Sequence, residues 1–185
     1  MKSTLFILSL VLPLISCTEQ SNLSKTFNCN TSKLNNLEVY SDFKQNFKIA
    51  IPTTWKTELY YNEFQSEIFT ADTIKQLSET YILDAAFNYG NLEFNEDFYK
   101  KTDSILAVSN LQKVKDGTIE FKSKPAYWYL VTGTKKGFTY NQFNLIIKLS
   151  KDTYFTAYSE IYGTDNTDER ICESISILDN IEFLQ

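Results

Sequence analysis

Histidine is absent from this sequence of 185 residues. With it go the commonest general base, the usual serine and cysteine triads, and most zinc sites. Glycine and proline are scarce, at five and three, whereas tyrosine and phenylalanine number twelve and fourteen. A chain with that balance reads as strand-rich and ordered rather than as a linker. Cationic residues are outnumbered too: 18 Lys and Arg against 23 Asp and Glu leave a formal charge of −5. A grip by charge on nucleic acid or on an anionic membrane needs clustered Lys and Arg, so neither is expected. No phosphate-binding glycine loop, EF-hand spacing or fixed-period repeat occurs. What is present, a hydrophobic fraction of 43%, is enough for one sizeable core.

The first sixteen residues pair Lys2 with the apolar run Leu5 to Leu12, which fits an export signal and is too short for a stable span. Leu14-Ile15-Ser16-Cys17 resembles a bacterial lipobox, in which cleavage precedes diacylation of the cysteine. The expectation is a signal peptide over 1–16 and an acylated, palmitate-bearing Cys17 that holds the chain on a bilayer. The alternative is an ordinary signal peptide with an incidental cysteine. Thr18 in place of Asp resembles the sorting rule for the outer membrane, with the face undecided. Residues 17–36 are rich in Ser, Asn, Thr and Gln and read as a flexible tether. Setting Cys17 aside leaves Cys29 and Cys172, an even pair suited to a disulfide in an oxidising compartment, or else two free thiols.

From residue 37 to 185 the pattern stays dense, without a break that would mark a second domain. Phe47, Ile49 and Ile51 alternate with Lys48 and Ala50, and Pro52 ends that strand ahead of a buried Trp55. Residues 55–63 and 64–71 read as a hairpin turning at Asn62-Glu63, and 80–89 alternates cleanly. Asn95 is a good cap for a helix over 96–112, with Glu96 and Asp97 in its first turn. Asp116-Gly117 signals a turn, and 118–121 a short strand closed by Ser123-Lys124-Pro125. Strands are then expected over 126–134, 138–149 and 153–162, the first apolar on both faces and so placed at the sheet centre. Thr167 can cap a last helix bearing Ile171, Ile175 and Leu178, and Ile181-Glu182-Phe183 is extended.

Phe47-x-Ile49-x-Ile51-Pro52-x-x-Trp55, the strand pair, the helix, Lys124-Pro125-Ala126-Tyr127 leading into a meander, and the closing Ser176-Ile177-Leu178-Asp179-Asn180-Ile181-Glu182-Phe183 together resemble the PsbP/Mog1 superfamily. The likeness spans about 37 to 183 and rests on the order of the pieces. It implies an α+β fold, an antiparallel sheet flanked by helices as an α-β-α sandwich. The family includes photosystem accessory proteins, a Ran-binding protein, envelope lipoproteins and effector chaperones, and so implies partner binding without catalysis or cofactor. Its partner contacts lie in variable loops, and no residue carries over.

Two tyrosine-rich sets are candidate partner-binding residues. Tyr140, Tyr154, Tyr158 and Tyr162 share the outward side of two neighbouring strands, unless helices cover them. Tyr60, Tyr61 and Phe64 sit beside a turn, the better place for exposure. Asp84, Glu93, Glu96 and Asp97 are the carboxylates from which an acid/base pair or a calcium site would be drawn, though two already serve the helix start. The expected function is a membrane-tethered envelope lipoprotein that binds a protein partner without catalysis. The alternatives are a small-ligand or lipid carrier, which needs an apolar cavity, and a carboxylate-based hydrolase.

Overall fold

Period-two alternation of large apolar residues folds into two antiparallel sheets, and the 3.6-residue stripes supply the helices that cover them. The computed structural model describes residues 20–30 and 34–184. The elements are α1 (Asn22–Thr26), β1 (Leu37–Ser41), β2 (Phe47–Pro52), β3 (Lys56–Tyr61), β4 (Gln65–Ala71) and β5 (Tyr81–Tyr89). They continue with α2 (Glu96–Val108), β6 (Gln112–Phe121), β7 (Lys124–Lys135), β8 (Phe138–Lys148), β9 (Thr153–Tyr162), α3 (Thr167–Leu178) and β10 (Glu182–Phe183). Seven strands form the main sheet in the order β3-β4-β5-β9-β8-β7-β6, and β1-β2-β10 form a small one. The expected signal peptide and Cys17 lie outside the described residues. No described helix is long and apolar enough to cross a membrane.

The core lies on one side of the main sheet. Leu83, Ala85 and Phe87 of β5 stand opposite Ser159, Ala157 and Phe155 of β9, and Leu145 and Ile147 of β8 continue the row. Onto this row pack Ile171, Ile175 and Leu178 of α3, with Phe47, Ile49 and Ile51 of β2. Ser159 and Ser174 meet at 3.1 Å between their hydroxyls, a buried polar pair where α3 crosses β9. Arg170 is buried at the start of α3, and its guanidinium donates to the carbonyls of Thr80 and Tyr162 at 2.9 Å each. That fork ties the helix to the ends of two strands through donors the carbonyls would otherwise lack.

Several expectations are corrected. The tether is not flexible over 20–30: Leu23 is fully buried, and Phe27 meets Trp128 edge-on at 4.8 Å between ring centroids. A five-residue helix cannot stand alone. It persists because Ser21 caps it, Leu23 fills the core, and Cys29 is bonded to Cys172 of α3 with Cα atoms 5.2 Å apart. Asp116-Gly117 is not a turn but lies inside β6, where Gly117 lets the Trp128 ring approach; a Cβ there would stand 3.1 Å from it. The turn is Lys122-Ser123, both with positive φ. β7, though apolar on both faces, is next to the edge strand β6, and the central strand is β9. Its second apolar face is explained by α2 lying over it. Pro52 still pairs with Leu37 of a strand, β1, that the pattern did not reveal. Trp55 is only half-buried, edge-on to Tyr81 at 5.0 Å.

Candidate partner-binding face

The side of the main sheet opposite α3 is covered unevenly. Asn95 caps α2 by accepting the Phe98 amide at 3.0 Å, and the helix lays Phe98, Thr102 and Leu106 over Tyr129, Ile146 and Thr156. A cleft of about 250 Å³ remains between them, with Tyr154 in its wall. Further along the strands, and toward β3, no described helix packs, and the sheet presents its own long side chains.

Register assembles those side chains. Tyr60 lies opposite Glu67, Phe69 opposite Asp84, Asp84 opposite Tyr158, and Gln142 opposite Glu160. Every one points to the same side, because paired residues in antiparallel strands share a face. The Tyr158 hydroxyl donates to Asp84 at 3.1 Å. Glu160 accepts from Tyr140 at 2.9 Å, from Tyr162 at 3.0 Å and from Lys135 at 2.6 Å. Asp84 is the floor of this surface, 6% exposed under longer neighbours. Burial first, and then the adjacent Glu67 carboxylate, push its pKa up to about 8, so it holds a proton where an ordinary carboxyl has lost one. Glu160 goes the other way. Burial pushes it up, but Lys135 and the two tyrosine hydroxyls outweigh that and hold it below the usual range. Burial also raises Tyr140 and Tyr158, each beside a carboxylate, so both remain hydroxyl donors.

The candidate tyrosines therefore separate. Tyr140 and Tyr162, 1% and 2% exposed, are not contact residues; their rings fill the floor around Glu160. The Lys135 ammonium lies 4.8 Å from the centroid of the Tyr140 ring, which helps cover it. Tyr154 belongs to the α2 cleft. Tyr158 is half-buried and Tyr60 is 48% exposed, and these two stand on the open part of the face. Tyr61 points to the other side of the sheet, as its neighbour in a strand must. There it stacks on Phe43 at 3.9 Å and 4°. Phe64, 66% exposed, projects from the turn, its carbonyl bonded to the Tyr89 amide. Glu93 pairs with Lys148 and Glu96 with Lys100, which removes both from any carboxylate centre. Glu67 and Glu160 were invisible as members of a cluster, because only the register β4-β5-β9 brings them beside Asp84. Among the described residues no group of three or more His, Cys, Asp or Glu is placed to hold a metal ion.

This architecture, a mainly antiparallel sheet between helices, is the PsbP/Mog1-like fold. Cyanobacterial PsbP from Synechocystis sp. PCC 6803 is similar at a TM-score of 0.60 and 10% identity, over 84% of this chain and 96% of that one. The Saccharomyces cerevisiae Ran-binding protein Mog1p is similar at 0.54 and 7% identity, over 81% of this chain and 96% of that one. A Bacteroides thetaiotaomicron VPI-5482 protein is similar at 0.55 and 10% identity, over 81% of this chain but only 49% of that one. No protein-family model matches, and no curated protein does.

Proposed function

We propose that this chain is a lipid-anchored protein of the cell envelope, on the outer membrane, that works by holding a protein partner rather than by catalysis. The observation that carries the reading is the open, tyrosine-bearing part of the main sheet. Tyr60 and Tyr158 offer broad contact area at low entropic cost, with Glu67 beside them, while Glu58 and Glu160 are already paired with Lys56 and Lys135. Glu67, which accepts from the neutral Gln65 amide at 2.7 Å, can meet a Lys or Arg of the partner. That one protein of this fold is a Ran-binding protein supports the same kind of role. The anchor rests on the lipobox-like Leu14 to Cys17.

A photo-crosslinker at Tyr60 in native membranes tests the partner. The expected result is a discrete adduct that Glu67→Lys abolishes and that a crosslinker at Val108 on α2 does not give. Only uncrosslinked monomer from Tyr60 overturns the reading. Cys17→Ser is expected to release the chain from membranes; unchanged association overturns the anchor. A carrier role draws on the cleft under α2, but about 250 Å³ falls below the roughly 300 Å³ at which pockets for drug-sized ligands begin. Asp84 and Glu67 are neighbouring carboxylates, yet they stand on a sheet face instead of in a substrate cleft, so hydrolysis is the weaker reading.

A further inference from the structure

We infer that the end of the main sheet bearing Phe43, Tyr61, Phe64 and Tyr89 rests on the lipid surface, with those aromatic side chains at the bilayer interface. The inference rests on the proposed anchor at Cys17 and adds an orientation to it. Three facts place Gln20, the first described residue, at this end.

First, the tether is short. Gln20 already lines a hollow with Ser21, Lys122, Ser123 and Asp179, so Cys17 stands only three residues away, a reach of about 10 Å. Second, the segment after Gln20 is fixed to the body. Ser21 and Ser24 both donate to Asp179 Oδ2, at 2.8 and 2.9 Å, and the Cys29–Cys172 bond closes the segment. The body therefore cannot swing away on a long leash. Third, Asp179 leads in five residues to Leu184, a span of at most about 17 Å. The Leu184 amide donates to the Asn46 carbonyl at 2.8 Å, and Tyr89 donates to the Asn46 side chain at 3.1 Å. The register agrees: the turns at Asn62-Glu63, Lys122-Ser123 and Ser150-Asp152 all fall at one end of the ladder.

At that end large apolar side chains face outward together. Phe43 is 56% and Phe64 66% exposed, Tyr61 and Tyr89 are exposed beside them, and Leu184 joins them. Scattered exposed apolar residues need no explanation, but a cluster at the same end of the strands as Gln20, across the sheet from the β6-β7 turn that Gln20 adjoins, does. Tyrosine and phenylalanine suit the headgroup boundary, where a ring is buried while a hydroxyl stays wet. Lys25, Lys44, Lys122, Lys124 and Lys151 outnumber Glu63, Glu120 and Asp152 there, so anionic lipid should strengthen a contact whose aromatic part zwitterionic lipid already supports.

The test is hydrogen exchange on the lipidated full chain, floated on phosphatidylcholine vesicles and on phosphatidylethanolamine–phosphatidylglycerol vesicles. Slowed exchange is expected at 41–46, 62–66 and 88–91 on both, with 108–116 unchanged, relative to the Cys17→Ser chain in solution. Phe43→Ser with Phe64→Ser should still float but lose that protection. If the wild type fails to float, the anchor and this orientation both fall. If it floats without protection at these turns, the orientation alone falls. It falls equally if the protection appears without vesicles, whether in proportion to protein concentration, which would indicate a second copy, or on adding detergent-solubilised envelope proteins.

Discussion

Ser21 and Asp179, 158 residues apart, are joined by a 2.8 Å hydrogen bond that fastens the start of α1 to the end of α3. The same Asp179 oxygen also accepts from Ser24, while its other oxygen is buried without a partner among the described residues. Burial raises the Asp179 pKa, and the two serine hydroxyls counter it. Asp179→Ala strands both hydroxyls near the core and is expected to cost about 1–3 kcal/mol. Urea unfolding followed by circular dichroism measures it.

The disulfide is the stronger tie. Cys29 and Cys172 are separated by 143 residues, so their bond restricts a long loop of the unfolded chain. Removing it, by reductant or as Cys29→Ser with Cys172→Ser, is expected to cost about 2–5 kcal/mol. Most of the loss should come without the sheet unfolding in the native state. Far-ultraviolet circular dichroism should therefore be unchanged at low temperature while the unfolding midpoint drops.

Asp84 should make stability depend on pH in an unusual direction. Its carboxyl titrates near 3.8 as an unperturbed group and at about 8 in the folded protein. Between those values the folded state holds a proton that the unfolded state has released, so stability falls as pH rises through this window and levels off above it. Asp84→Asn keeps an acceptor for Tyr158 and removes the titration. It is expected to raise stability at pH 8 by an amount on the order of a few kcal/mol, and the melting temperature with it, and to flatten the fall from pH 5. Thermal melts across pH 5 to 9 would refute this if the variant and the wild type ran parallel.

Gly117 should resist enlargement. An added Cβ lies 3.1–3.2 Å from three atoms of the Trp128 indole, whose ring is itself held by Phe27. Gly117→Val is expected to cost about 1–3 kcal/mol and to move the ring. Tryptophan emission and near-ultraviolet circular dichroism report the displacement, and Gly137→Ala, at an open turn, serves as the comparison for backbone strain alone.

Much of the fold was legible where a side chain's role depends on its immediate neighbours. The alternation in β2, β5, β8 and β9, the Asn95 cap and the Ile171-Ile175-Leu178 stripe are local patterns, and each became the element it foretold. β1 escaped because it is an edge strand with little apolar content facing inward; only its pairing with β2 makes it a strand. Gly117 misled because glycine serves a turn and a close approach equally well, and the Trp128 ring that decides between them is eleven residues away.

Composition and local pattern establish a β-rich domain without histidine chemistry, a cysteine pair free to bond, and a supply of tyrosines. Which of those tyrosines meet solvent is a matter of tertiary structure. Tyr140 and Tyr158 share a strand-face pattern, yet Lys135 and Glu160 close over one while the other stays half-open. Folding also gathers Glu67, Asp84 and Glu160 from three strands, and turns the polar stretch around Leu23 from spacer into structure. The physical reason is common to all three. Burial and charge coupling depend on what lies across a strand pair or under a helix, and those distances of a few ångströms are set by register, which local periodicity does not encode.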